Sequence, residues 1–218
     1  ALAAHLLEVA PEDIAVGGGH YTVRGTDRLM TLTEISEAAR DTANLPNGME
    51  AGLDTRAVGK VADPTFPNGC QICELEVDPE TGAVEILRYC DVGEFGRVLN
   101  PMIVEGQIHG GIAQGVGQAL MEDCRYDPDS GQLLSASFMD YTVPRADDLP
   151  NFDTATKEIL CTTNPLGIKG AGEAGTIGAL AAVMNALMDA LAPLGVRHID
   201  MPATPETVWR AIRDTRQI

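Results

Sequence analysis

The sequence predicts an α+β fold in which a hairpin-rich mixed sheet packs against helices. The segments with strand character come in pairs joined by short turns, and the long helical segments follow them in blocks instead of alternating with them. With 218 residues, 44% of them hydrophobic, the chain is also long enough to bury a sizeable core.

The composition is acidic and excludes several classes of partner. Lys and Arg number 15 against 32 Asp and Glu, a net charge of −17 that argues against nucleic acid or an anionic membrane. No uninterrupted apolar run reaches the roughly 20 residues of a membrane span, so we expect none. Five cysteines, an odd number, do not form a disulfide framework and favour a reducing, cytoplasmic location. The first residues carry neither Met nor a basic segment, which suggests part of a longer polypeptide.

Residues 1–40 are predicted to form a separate N-terminal piece. Its expected elements are the end of a helix at 1–9, a hairpin of strands 14–16 and 20–23 around three glycines, and a short helix at 34–40 capped by Thr31 or Thr33. Residues 41–69 show little periodicity and are predicted to be a connector. The main body would then be residues 70–218.

The main body opens with a predicted hairpin. Its strands are 70–77 and 83–92, joined by the turn sequence Asp-Pro-Glu-Thr-Gly at 78–82. Cys70 and Cys73 lie three positions apart on one strand and therefore face opposite sides of the sheet, so no metal site is predicted there. Cys73 is expected to pack with Leu75 and Val77.

A glycine-rich helix is predicted over residues 100–120, because Asn100 and Pro101 are a strong helix start. Five glycines inside one helix cost roughly 0.5–1 kcal/mol each relative to alanine. Two explanations remain open: tight packing against another helix, or a helix broken at Gly110–Gly111 whose amides meet a cofactor. The expected stripe comprises Ile103, Gly106, Gly110, Ala113, Gly117 and Leu120.

The C-terminal half should add further elements. They are a second hairpin of strands 122–126 and 132–141, a short strand at 157–162, a helix at 177–192 capped by Thr176, a strand at 196–200 and a final helix from Thr204 to Asp214 with Trp209 in the core.

The most informative stretch is residues 164–176, NPLGIKGAGEAGT, just before the predicted helix. Its glycines allow close approach of a ligand to the backbone, and a helix N-terminus favours anions. Glu173 is the single carboxylate in this loop. It is expected to be buried and to act either as a general base or as a helix cap.

One alternative is a dinucleotide-binding domain. Gly170, Gly172 and Gly175 match the spacing of the dinucleotide fingerprint, and Asp200 lies downstream. The fingerprint requires a buried strand before the glycines and a sheet built after them, whereas residues 164–167 have turn character and few residues follow. Thermal stabilisation by NAD(P) would support this alternative.

Two glycine-rich stretches are informative together: residues 106–120 (GQIHGGIAQGVGQAL) and 164–179 (NPLGIKGAGEAGTIGA). They resemble the xanthine dehydrogenase/aldehyde oxidase family of molybdenum hydroxylases, in the C-terminal molybdopterin-binding part of large subunits of the carbon monoxide dehydrogenase type. Shorter matches are 66–70 (FPNGC), 96–101 (GRVLNP), 138–141 (FMDY) and 200–205 (DMPATP). The resemblance covers nearly the whole chain.

The resemblance implies roles for particular residues. Glu173 corresponds to the catalytic base, and Gln114 to a glutamine beside the pterin or metal. The amides expected to hold the cofactor belong to Gly110, Gly111, Gly115, Lys169, Gly170 and Gly172. The implied cofactor is molybdenum–molybdopterin, in the cytosine dinucleotide form, and the implied reaction is hydroxylation with an oxygen derived from water.

The resemblance also implies partners: the rest of the large subunit, an iron–sulfur small subunit and an FAD-containing medium subunit. Large subunits of this family have a long N-terminal half that supplies much of the pterin cage, so this chain alone is expected to be inactive and without cofactor. Purines, aldehydes, heteroaromatics and carbon monoxide remain open as substrates. A non-catalytic scaffold domain is the third hypothesis.

Overall fold

The computed structural model describes residues 1–56, 58–59 and 63–215, and the chain divides into two compact units, Ala1–Lys60 and Val61–Ile218. The division falls inside the predicted connector; the three-part organisation with boundaries at 40 and 69 stays a prediction. Each unit contains helices, a three-stranded sheet and its own buried core. The α+β class is therefore confirmed.

The first unit is a small antiparallel sheet with two short helices. Its elements are α1 (Leu2–Leu6), β1 (Ile14–Gly17), β2 (His20–Val23), β3 (Leu29–Thr31) and α2 (Leu32–Ala38), with single 3₁₀ turns at Pro11–Asp13 and Thr42–Asn44. The β1–β2 hairpin is confirmed, and Gly18 and Gly19 supply the positive φ angles that its two-residue turn requires. Thr31 caps α2 in a capping box with Glu34. Strand β3 was not predicted, because three residues carry too little periodicity.

The second unit is built on a mixed sheet of order β4-β5-β6. These strands are β4 (Asn68–Val77), β5 (Val84–Glu94) and β6 (Phe152–Lys157); β4 and β5 are antiparallel, and β5 and β6 are parallel. The β4–β5 hairpin and the packing of Cys73 against the core are confirmed. The strand expected at 157–162 is wrong, since β6 ends where that segment begins.

Three helices complete this unit: α3 (Pro101–Leu120), α4 (Ala174–Leu191) and α5 (Pro205–Thr215), with a 3₁₀ turn at Ala192–Leu194. α3 and α4 pack side by side, and α4 also lies against β4. The buried face of α3 carries Ile108, Ile112 and Val116, and that of α4 carries Val183 and Leu187. The predicted stripe on α3 is wrong in its first half: Ile103, Gly106 and Gly110 are exposed, whereas Gly117 and Leu120 are buried. The buried face in that half is set instead by the large apolar side chains of Ile108 and Ile112.

Other C-terminal predictions need correction. Residues 122–141 form only a single bridge, Tyr126 to Leu133, around the predicted turn, and no strand forms at 196–200. Trp209 is half-buried beneath the Arg213 guanidinium, 4.7 Å from the ring centre, instead of anchoring the core. Val208 and Ile212 occupy the buried face of α5.

Within the described residues one segment, Ala174–Leu194, has the length and the mean hydropathy, 1.6, that a membrane span would need. Its apolar composition has another explanation in the fold. Ala179, Val183, Leu187 and Leu191 form a fully buried stripe at the centre of the second unit. The expectation of no membrane span stays a prediction.

Candidate functional site

Glu173 is the N-cap residue of α4, at the end of the glycine loop. Its side chain makes no capping hydrogen bond and has no hydrogen-bond partner among the described residues, and the residue is exposed within this chain. The expectation that Glu173 is buried is therefore wrong for this chain. Thr176 is likewise not the cap, because α4 begins at Ala174, three residues earlier than predicted.

The helices α3 and α4 meet along a seam of glycines, which we call the glycine seam: Gly111, Gly115 and Gly175. A Cβ placed on Gly111 would lie 2.9 Å from Gly175 Cα, and one on Gly115 would lie 2.5 Å from Ala179 Cβ. A Cβ on Gly175 would lie 2.5 Å from the Ile108 carbonyl oxygen. No side chain fits between these backbones, so at Gly111 and Gly115 the tight-packing explanation holds. The helix α3 is continuous through Gly110–Gly111.

Hydrogen bonds cross the same seam and reach a predicted site residue. The Thr176 hydroxyl lies 3.0 Å from the Gly111 carbonyl oxygen and 3.2 Å from Gln114 Oε1. This places the exposed Gln114 beside the first turn of α4, which follows the N-cap residue Glu173.

Other predicted glycines face open space, and we call Gly106, Gly110 and Gly170 the open face. Each is exposed, and a Cβ on any of them would have nothing within 4 Å. At Gly172 the nearest atom would be Gln107 Oε1, at 3.5 Å. Packing within the described residues does not account for these glycines, so they leave backbone accessible to a group outside this chain.

The loop before Glu173 is tied to the end of β5. The amide of Lys169 donates to the Phe95 carbonyl oxygen at 2.8 Å, and Gly96 bridges to Ile168. The Gly170 amide donates to Thr65 Oγ1 at 3.3 Å. Two of the amides predicted to hold the cofactor, those of Lys169 and Gly170, therefore already have partners within this chain.

A nearly buried ion pair reinforces this anchor. Lys169 Nζ lies 2.5 Å from Glu94 Oε2, and the two side chains are only 12% and 9% exposed. Glu94 also accepts from the Gly96 amide and the Asn68 side chain. Burial is the largest single influence on the pKa of Glu94 and acts to raise it, but these hydrogen bonds outweigh burial and hold the pKa below its usual value. Nothing in the sequence pairs positions 94 and 169, so this contact was not predicted.

A second acid near α4 lies in an apolar environment. Asp91, on β5, lines a cavity of about 290 Å³ between the sheet and α4. Its Oδ2 is buried and has no hydrogen-bond partner among the described residues, and burial raises the pKa of this carboxyl. Because that oxygen is closed to solvent, the arrangement does not offer it as a ligand for a cation in the cavity.

Protein ligands for a metal ion are absent from the part of the chain that the structure describes: no three His, Cys, Asp or Glu side chains come together. Cys70 is exposed and Cys73 half-buried, in line with their alternation on β4. The dinucleotide alternative is not favoured. In residues 158–173 no strand precedes the glycines, and the sheet contains only one parallel pair.

Exposed glycine backbone beside the uncommitted carboxylate of Glu173 fits an organic cofactor that brings its own metal ligands. The chain belongs to the family of the molybdopterin cofactor-binding domain, which matches residues 1–150. The family predicted from the glycine motifs is therefore confirmed.

Individual relatives extend the match to nearly the whole chain. Subunit gamma of the 6-hydroxypseudooxynicotine dehydrogenase complex of Paenarthrobacter nicotinovorans is 42% identical, over 95% of this chain and 26% of that protein. The carbon monoxide dehydrogenase large chain of Hydrogenophaga pseudoflava is 33% identical, over 98% of this chain and 26% of that protein. The crystal structure of quinoline 2-oxidoreductase from Pseudomonas putida 86 superposes with a TM-score of 0.89 at 41% identity, over 98% of this chain and 27% of that one. The chain spans about a quarter of the length of these relatives.

Proposed function

We propose that this chain acts within a molybdopterin-dependent hydroxylase, where it supplies Glu173 as the catalytic base and one wall of the cofactor pocket. The family and the fold support the cofactor class. The observation that carries the proposal is the position of Glu173: an exposed carboxylate without a hydrogen-bond partner in the described residues, at the end of a loop that is itself anchored.

The open face fits the bound cofactor. Gly106 and Gly110 on α3 present backbone without side chains, and Gln114 offers an amide beside the start of α4. When bound, the cofactor supplies the metal, the redox chemistry and the activated oxygen. This chain would contact the pterin through that exposed backbone, and Glu173 would take up the proton that the reaction releases.

For the substrate we propose an N-heteroaromatic compound. The relatives at 39–42% identity bear names that refer to nicotine, 6-hydroxypseudooxynicotine and quinoline, whereas the carbon monoxide dehydrogenase large chains are 31–33% identical. Turnover of nicotine or quinoline by the full enzyme, without turnover of carbon monoxide, would support this assignment. Turnover of carbon monoxide alone would overturn it.

The remaining parts of the proposal concern assembly. Names of relatives such as "subunit gamma" and "large chain" describe multi-subunit proteins, which supports partners that include the rest of a large subunit. We propose an iron–sulfur subunit and an FAD subunit as the electron-transfer partners, the cytosine dinucleotide form of the cofactor and a cytoplasmic location. Mass spectrometry of the extracted cofactor tests its dinucleotide form, and co-purification from the cell tests the partner subunits.

The deciding experiment is Glu173→Gln in the full-length enzyme. We expect unchanged folding and molybdenum content, with kcat per bound molybdenum lowered about 10²-fold or more, because the amide cannot accept the proton. Glu80→Gln, in the exposed turn between β4 and β5, is the matched control and should keep full turnover. A Glu173→Gln enzyme that loses cofactor but keeps its turnover per molybdenum would indicate the scaffold alternative instead.

A further inference from the structure

One side chain of the sheet connects directly to the helix turn that carries Glu173. Gln71 lies on the inward face of β4, among the alternating positions occupied by Cys73, Leu75 and Val77. Its Nε2 donates to the carbonyl oxygens of Ala174 and Gly175, each at 3.2 Å. These are the first two residues of α4, immediately after Glu173.

A buried tyrosine orients the Gln71 amide. The Tyr89 hydroxyl donates to Gln71 Oε1 at 2.6 Å, and Tyr89 is fully buried. Burial, followed by the nearby Cys73 and Asp91, raises the pKa of Tyr89 far above its usual value, so the hydroxyl keeps its proton and stays a donor. With Oε1 occupied in this way, the NH₂ group of Gln71 must face α4.

The helix itself is shaped to receive this amide. A Cβ on Gly178 would lie 2.5 Å from Gln71 Cδ, so any side chain at that position would displace the Gln71 amide. On its other side the same turn is pressed against α3 through Gly175. The first turn of α4 is therefore held from two directions, by the glycine seam and by Gln71.

We propose that Gln71 is a positioning residue for Glu173, and that it fixes the first turn of α4 so that the carboxylate stays within reach of the reacting group. The assignment rests on the proposed function of Glu173. Gln71 itself touches only protein groups, and displacement of a catalytic group by about 1 Å can cost up to about 10²-fold in rate.

The test uses Gln71→Met in the full-length enzyme, because methionine keeps the length of the side chain and removes its hydrogen bonds. We expect kcat per bound molybdenum to fall about tenfold, with KM changed less than about twofold and molybdenum content unchanged. Tyr89→Phe, which leaves Gln71 in place without its orienting donor, should give a smaller loss in the same direction. Gln132→Met is the matched control, since that exposed amide contacts only the adjacent Leu133.

Two further measurements separate positioning from a general structural role. In the Gln71→Met, Glu173→Gln double variant, kcat should equal that of Glu173→Gln within about twofold, because a carboxylate that is absent cannot be misplaced. Amide hydrogen exchange at residues 174–178 should be faster in Gln71→Met and unchanged in α5. Three outcomes would each overturn the proposal. They are losses in kcat that multiply in the double variant, amide hydrogen exchange that is unchanged in Gln71→Met, and a loss of molybdenum content without a loss of kcat per bound molybdenum. If Glu173→Gln alone keeps full turnover, the catalytic assignment fails, while the exchange measurement still reports whether Gln71 holds the helix.

Discussion

The glycine seam and the open face both include glycines of α3, yet they have opposite surroundings. Gly111 and Gly115 face α4 with no space for a methyl group, whereas Gly106 and Gly110 have nothing within 4 Å of where a Cβ would be. One set of glycines is explained by packing within the chain, and the other is not. A glycine in a helix can thus serve backbone-to-backbone contact or access to an external group, and only its neighbours distinguish the two.

The largest effect is expected in the seam. Gly115→Val places a branched side chain where Ala179 Cβ already lies, so α3 and α4 must separate, at a cost of about 3 kcal/mol in the free energy of unfolding. Gly106→Val, on the open face, should not destabilise the fold and should change the free energy of unfolding by less than about 1 kcal/mol, because a Cβ there meets nothing and valine is a better helix former than glycine. Urea unfolding of both variants measures the difference, and equal destabilisation would contradict the contrast between the two sets.

The loop before Glu173, which carries Gly170 of the open face, should be stabilised by its ion pair instead of by packing. Glu94→Gln removes the charge that pairs with the nearly buried Lys169, and we expect a loss of about 2 kcal/mol at neutral pH. Gln is isosteric with Glu, so the effect reports charge and not volume.

This contribution should also depend on pH with a definite sign. The pKa of folded Glu94 lies below 4.5, its ordinary value, so the stabilisation is complete above pH 4.5 and is lost as pH falls through the folded pKa. Chemical unfolding of the wild type and of Glu94→Gln between pH 2 and pH 7 — about the range in which carboxylates titrate — should therefore give curves that converge in acid. Parallel curves would show that the pair does not stabilise the fold.

The smallest expected effect is a change in the free energy of unfolding that has opposite signs at two adjacent residues. Gly110→Ala should stabilise the fold by up to about 1 kcal/mol, whereas Gly111→Ala should destabilise it by about 1 kcal/mol or more, because its methyl would overlap the Gly175 backbone. In the full enzyme Gly110→Ala should also reduce molybdenum content if the open face contacts the cofactor. A rise in melting temperature for both variants with unchanged molybdenum would disprove close approach at either glycine.

Local patterns determined a large part of this protein. The β1–β2 and β4–β5 hairpins, the capping box at Thr31, the Asn100–Pro101 helix start and the final helix follow from turn chemistry, caps and periodicity, all of which act within a few residues. The glycine motifs likewise predicted the molybdopterin-binding family, which the comparisons confirm. Gln71 left a weaker signal, as the one polar residue on an otherwise apolar strand face.

Only the tertiary structure decided which glycines are buried, where Glu173 lies and what holds it. The Glu94–Lys169 pair joins residues 75 positions apart, and Gln71 reaches α4 across more than 100 positions. The strand expected at 196–200 also failed to form, although its local pattern favoured it, since strands require partners that propensity does not supply. The physical reason is common to all three: propensities and caps are properties of neighbours in the chain, whereas burial, ion pairing and strand pairing depend on what folding brings from elsewhere.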